Sequence, residues 1–370
     1  MGPGPSYGRP MTATTHTPPA LDEQRLNALL GQAVVEFGAT VNAALVVIGD
    51  RLGLYRELAA AGPLTPSELA QRTGNAERYV REWLNAQAAS GWVDYDAASG
   101  CYSMSPEQAM MFAQPDSPAF VGGGFQLALG AAESRDHIAE AFATGTGFGW
   151  HEHHHDVFDG CQRFFEPGYR ANIVQSWIPA LDGIHERLLA GGRVADVGCG
   201  HGASAIIIAQ AYPEARVDGS DLHDGSIVEA RRQAGEAGVS DRVSFSVAAA
   251  DALPEAGYDL VTSFDCLHDM GDPAGVARHV RSALAPGGSW MIVEPRAGDS
   301  VPENLNPVGR AYYAFSTLLC TPSSLAQEGG LALGAQAGAA RLREVLESAG
   351  FTDVRLAAET PFNLVLEARA

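Results

Sequence analysis

The stretch Val194-Ala-Asp-Val-Gly-Cys-Gly-His-Gly202 limits what this chain can fold into more than any other. An apolar strand runs into three glycines at alternate positions, then into a helix over Ala203–Tyr212. Glycine lets the backbone turn tightly and approach a ligand closely. The spacing is G-x-G-x-G, and Asp196 stands two residues before the first glycine. A pyrophosphate at a helix N-terminus disfavours an adjacent carboxylate. A phosphate-free ligand carrying an amino group suits it.

The rhythm downstream agrees with a parallel sheet. Strands are predicted at Arg193–Val197, Arg216–Ser220, Val243–Val247, Tyr258–Ser263, Ser289–Val293, Val354–Ala358 and Asn363–Ala368, the last two as an antiparallel pair. Open α/β sheets bind ligands at strand C-termini. Asp221 ends the second strand about 20 residues after the glycines, where an acid can accept ribose hydroxyls. Asp251 and Ala252 follow the third strand, where an adenine edge would lie. The run Tyr258–Met270 carries Phe264, Asp265, His268 and Asp269 into the same crevice.

Upstream, Leu26, Leu29, Leu30, Val34 and Phe37 recur at helical spacing. Thr65 caps a helix beginning at Pro66 and closed by Gly74, a second helix spans Ala76–Ser90, and a hairpin follows around Ala97–Gly100. Helix, turn, helix, hairpin is the order of a winged helix. Residues 21–113 hold eleven acids and six arginines, a net of −5. DNA binding rests on neutralising phosphates, so nucleic acid is disfavoured. A dimerisation and lid module is expected instead.

The whole chain of 370 residues carries −20, with 44 acids against 24 basic residues and no lysine. Such a surface disfavours anionic membranes. No apolar run reaches the roughly 18 residues of a membrane span. Five scattered cysteines without CxxC spacing suggest neither a disulfide framework nor a zinc cage. The domains are read as a disordered leader at 1–20, a winged helix at 21–113, a helical linker and lid at 114–190, and a Rossmann-like domain at 191–370 with a cap insertion at 296–336. The location expected is cytoplasmic.

Within the linker, Gly147–Asp156 packs four histidines among two acids. It reads as a lid lining a pocket, as solvated surface, or as a metal site using His151 with His154 or His155, the pairs that share a helical face. In the cap, Asn304, Asn306, Tyr312, Tyr313 and Phe315 offer hydrogen bonds and ring faces.

From residue 160 onward the motif run resembles class I S-adenosylmethionine-dependent methyltransferases, as does Ala283-Leu-Ala-Pro-Gly-Gly288 before the fifth strand. Over residues 21–370 the chain is similar to actinobacterial winged-helix methyltransferases and, more distantly, to small-molecule O-methyltransferases. The resemblance implies an α/β, seven-stranded Rossmann-like domain behind an all-α winged-helix domain that mediates homodimerisation. It implies S-adenosylmethionine as cofactor, S-adenosylhomocysteine as product, and a role in secondary metabolism. The cofactor would contact Asp196, Gly198, Cys199, Gly200, Asp221, Leu222, Asp251, Ala252, Phe264 and Asp265, with Tyr169 among the covering aromatics of Arg163–Tyr169. The resemblance also assigns His268 and Asp269 to the general base, oriented by Glu294. The chain departs from the plant pattern after Asp269, where Met-Gly-Asp-Pro stands in place of a tryptophan-containing run.

The function expected is therefore methyl transfer to a small, partly apolar acceptor, O-methylation slightly ahead of C- or N-methylation. The alternatives are a relative that binds the cofactor without transferring methyl (a decarboxylase, hydroxylase or pericyclase) and a cofactor-sensing regulator.

Overall fold

The structure is a computed structural model describing residues 21–254 and 257–370. The proposed leader at 1–20 lies outside the described residues. The chain divides into two compact units at Asn42 and Ala43. Helix α1, Glu23–Arg51, begins in the first, where Leu26, Leu29, Leu30, Val34 and Phe37 are exposed. Contrary to the expectation that no segment is apolar enough, α1 by length and composition could cross a membrane. Its few charges sit so far apart that an 18-residue window holds at most two.

In the second unit, α2 (Leu54–Ala61), α3 (Pro66–Thr73) and α4 (Glu77–Ala89) precede the short hairpin β1 (Asp94–Asp96) and β2 (Cys101–Ser103). Thr65 caps α3 through a reciprocal pair with Glu68, satisfying two donors that a helix start leaves orphaned. Leu54, Tyr55, Leu69, Trp83, Leu84 and Phe112 form one buried cluster. Arg78 pairs with Glu82 and Arg81 with Glu77 along α4. The helix that would read DNA thus has its cations already partnered.

The middle section holds α5 (Pro106–Phe112), α6 (Gly122–Glu133), α7 (Arg135–Thr144) and α8 (His155–Asn172). Helices α6 and α8 pack almost backbone to backbone. A Cβ on Gly160 would meet Leu127 N at 2.4 Å, and only glycine permits that approach.

Helix α9 (Ile184–Leu189) leads into the sheet. It contains β3 (Arg193–Val197), β4 (Arg216–Asp221), β5 (Val243–Val247), β6 (Tyr258–Phe264), β7 (Leu284–Pro295), β8 (Asp353–Glu359) and β9 (Asn363–Arg369), in the order β5-β4-β3-β6-β7-β9-β8. Strands β3 to β7 are mutually parallel, and β9 runs antiparallel to both β7 and β8. All seven predicted strands are present. β7 starts five residues early because Leu284 pairs with Tyr258 before a register shift.

Alternation along the strands builds two cores. Val194, Leu260, Met291 and Val365 point into one. Their neighbours Ala195, Val261, Ile292 and Leu366 point into the other. Helix α10 (Ala203–Ala211) faces the first core, with α11 (Asp224–Glu236); α12 (Pro273–Ala283) and α15 (Gly338–Ser348) face the second. Between β7 and α15 lie α13 (Pro307–Phe315) and α14 (Thr321–Leu325), in the predicted cap region.

Candidate active site

A cavity of about 680 Å³ opens at the C-terminal ends of β3, β4 and β6, a size typical of small-molecule sites. Its floor is the glycine turn. Gly198 and Gly200 have φ of +71° and +52°. A Cβ on Gly198 would lie 2.8 Å from Cys266 Sγ, so the turns after β3 and β6 are pressed together. Ser220 O accepts from Gly198 N and Cys199 N at 2.8 and 3.0 Å. The Asp221 carboxylate accepts from Gly200 N and His223 N, both at 2.9 Å, which locks one turn to the next.

Of the residues expected to contact a cofactor, Gly198, Cys199, Gly200, Asp221, Leu222, Asp251, Phe264, Asp265 and Tyr169 line the cavity. Asp196 and Ala252 do not. The Asp196 carboxylate lies beneath the turn, accepting from Ser204 Oγ at 2.6 Å and Thr262 Oγ1 at 2.7 Å. Burial pushes its pKa up to about 6. Both hydroxyls donate to it from within the fold.

The far wall comes from α8 and the cap. Phe158, Phe165 and Tyr169 line the cavity together with Trp150. The predicted cap residues sit elsewhere. Asn304 bonds the Gly298 backbone, Asn306 caps α13, and Tyr312 donates to Phe362 O at 2.9 Å. Ser323, Gln327, Glu328 and Gly329 supply the cap side instead. Gln327 ties the cap to the β6 loop, its Nε2 donating to Asp269 O at 2.8 Å. A polar residue in a segment without periodicity gave no signal for this.

Tyr169 donates to Asp265 Oδ2 at 2.9 Å. Asp265 is one of two non-glycine residues with positive φ among the described residues. Burial, then the Glu294 charge, pushes its pKa up to about 7. Among the described residues, six carboxylates line the cavity (Asp221, Asp251, Asp265, Asp269, Asp272 and Glu328), and no arginine does. Such a field favours a cationic ligand.

His268 is placed differently from the expectation of a base facing the acceptor. It is 2 % exposed and does not line the cavity. Its Nδ1 bonds Glu294, and its Nε2 lies 3.1 Å from Asp269 Oδ1. Glu294 also accepts from Leu267 N at 2.9 Å. Burial works against charge on His268, yet the two carboxylates hold its pKa well above the ordinary value. Asp269 does line the cavity, so of the three it alone reaches the ligand space.

The histidine segment does not form one helix. A short 3-10 turn covers Trp150–Glu152, and α8 starts at His155 with His154 as its cap. The predicted pairing of His151 with His154 or His155 on a common face is therefore not made. His154 and His155 gather with Asp156, whose carboxylate is already bonded to Arg51 and Gln126.

The glycine turn and Asp221 fit an adenosyl ligand with an amino-acid tail. The turn brings the backbone close, the acid stands at the strand end, and the acidic lining suits a sulfonium.

Comparison with known proteins agrees. Residues 39–114 match the Rv2258c-like winged HTH domain, and residues 188–350 match a methyltransferase domain. The chain is 34 % identical over 139 residues to 27-O-demethylrifamycin SV methyltransferase of Amycolatopsis mediterranei, covering 35 % of this chain and 51 % of that protein. It thus spans about half the length of this curated relative. The mitomycin 7-O-methyltransferase MmcR superposes with a TM-score of 0.67 at 20 % identity, over 94 % of this chain and 100 % of the other. PigF, solved with S-adenosylhomocysteine (SAH), gives 0.67 at 18 % identity, over 95 % and 100 %. The chain thus carries a winged helix-turn-helix domain joined to a methyltransferase domain, and its fold is that of solved methyltransferases.

Proposed function

We propose that the protein transfers a methyl group from S-adenosylmethionine to a hydroxyl of a small, partly apolar molecule. The observation that carries this reading is one cavity whose lining joins the Gly198–Gly200 turn and Asp221 to aromatics and Asp269. The names of the rifamycin and mitomycin relatives favour oxygen as the atom methylated and secondary metabolism as the setting.

S-adenosylmethionine, when bound, supplies an electrophilic methyl group on a sulfonium. Asp221 and the glycine turn hold the adenosyl end, and Asp251 stands where the adenine edge would lie. Phe158, Phe165 and Tyr169 exclude water and supply ring faces. The His268–Asp269–Glu294 array activates the acceptor: Asp269 meets its hydroxyl, His268 stands behind, and Glu294 fixes the imidazole. Orientation supplies much of the rate, up to roughly 7–11 kcal/mol for well-aligned groups.

The exposed apolar residues of α1 support homodimerisation through the amino-terminal region, and the fold suits a cytoplasmic enzyme. The test is calorimetric titration with S-adenosylmethionine and SAH, followed by an acceptor screen with labelled methyl donor. Micromolar binding and label transfer to a hydroxylated acceptor support the reading. A folded protein that binds neither ligand overturns it. Binding without any transfer favours the non-methylating alternative.

A further inference from the structure

We infer that His268, Asp269 and Cys320 form a three-ligand site for a divalent ion of the zinc class, with an open position facing the acceptor side of the cavity. One nitrogen, one oxygen and one sulfur atom from these residues all lie within 4.8 Å of one another. His268 Nε2 and Asp269 Oδ1 are 3.1 Å apart. Two ligands each about 2.0–2.1 Å from one tetrahedral ion stand roughly 3.3 Å apart.

Three further observations point the same way. First, Asp269 Oδ1 is buried and has no hydrogen-bond partner among the described residues, with His268 Nε2 3.1 Å away. The two atoms form an ion pair at a separation that two ligands of a common ion also have. A buried, unsatisfied oxygen costs free energy that an ion would offset. Second, Glu294 engages the other imidazole nitrogen. A carboxylate behind a ligating histidine is the usual device that fixes tautomer and ring orientation at a metal. Third, Asp265, Asp269 and Glu294 crowd one pocket, and His268 is the only cationic partner that the ion pairs give Asp269 and Glu294 among the described residues. Buried charge demands compensation.

The geometry is that of a catalytic rather than a structural site. Three protein ligands leave the fourth position free, and Asp269 marks the side on which the cavity lies. The inference rests on the reading above for what occupies that position: the acceptor oxygen. An ion there lowers the pKa of a bound hydroxyl, and the proton released on binding goes to solvent. The Cys320 spacing gave no hint of this, because its partners are about 50 residues away in sequence.

The full chain is stripped with a chelator, dialysed and titrated with Co²⁺, whose thiolate and tetrahedral bands report ligation. The expected result is one equivalent per chain, with a near-ultraviolet thiolate band that Cys320→Ala abolishes and Zn²⁺ displaces. Asp269→Asn, nearly isosteric, and Glu294→Gln weaken binding about 10–100-fold. His154→Ala/His155→Ala leaves the bands intact. SAH titration of the same samples reports folding. Wild type that binds SAH but develops no Cys320-dependent band overturns the inference. So does a band lost only in the His154/His155 variant. Cobalt bands without SAH binding leave the metal site standing and sink the methyltransferase reading instead.

Discussion

Asp269 Oδ1 lies 3.1 Å from His268 Nε2, while Glu294 holds Nδ1 on the opposite edge of the same imidazole. The ring is thus clamped between two acids, and only one of them reaches the cavity. Asp269→Asn removes the group that meets the acceptor while keeping its volume. It is expected to lower kcat about 10²–10⁴-fold, the usual range for a lost general acid–base group, with SAH affinity unchanged. His268→Gln acts through Asp269 and should flatten the pH profile of kcat as well as lower it. A KM effect alone for Asp269→Asn would show that it only contacts the acceptor.

Asp221 gives the second prediction. Its carboxylate bonds two backbone N–H groups and also faces the ligand space. Asp221→Ala should weaken SAH binding at least tenfold, about 1.4 kcal/mol. Asp196→Asn, at a carboxylate enclosed by Ser204 and Thr262, should change affinity far less. Calorimetry on the pair decides between a contact and a support. Equal losses would mean that both act by shaping the turn.

These two acids show how far the sequence could be read. Both stand beside the glycine string or one strand further on, and both looked like ligands. Strand alternation and glycine spacing are local signals, so the sheet, the turn and Asp221 were legible. Which acid faces outward depends on Ser204 and Thr262, and Thr262 comes from a strand 66 residues away. Gln327 and Cys320 were hidden for the same reason: their meaning comes from the β6 loop against which the cap folds. The burial of His268 was not legible, because the resemblance names a residue and not its orientation.

Asp265 gives a pH prediction. Burial raises its pKa from 3.8 to about 7. Below about pH 4 it is protonated in both folded and unfolded states and costs nothing. Between about 4 and 7 the unfolded chain releases the proton and the folded one keeps it, so stability falls as pH rises. Asn has no proton to release, accepts from Tyr169 equally well, and tolerates a φ of +50°. Asp265→Asn should therefore match wild type near pH 4 and melt several degrees higher at pH 8, without ligand. A variant whose melting temperature is displaced equally at both pH values would sink the titration account.

The last prediction concerns two glycines eight residues apart on α8. Gly160 faces α6, where a Cβ would lie 2.4 Å from Leu127 N and 2.7 Å from Leu127 Cα. Backbone atoms cannot swing aside, so Gly160→Ala must push the two helices apart. Overpacking of this kind costs about 1–3 kcal/mol. Because α8 carries Phe158, Phe165 and Tyr169 into the cavity, the same displacement should weaken SAH binding. Gly168 has nothing within 4 Å of an added Cβ. There alanine meets only the intrinsic preference of a helix interior, worth roughly 0.8–1.0 kcal/mol over glycine. Gly168→Ala should stabilise the protein by up to that amount and leave binding intact. Thermal melts with and without SAH measure both effects. Opposite signs for the two variants are expected, and a loss at Gly168 as large as that at Gly160 would mean that α8 tolerates no added methyl regardless of its neighbours.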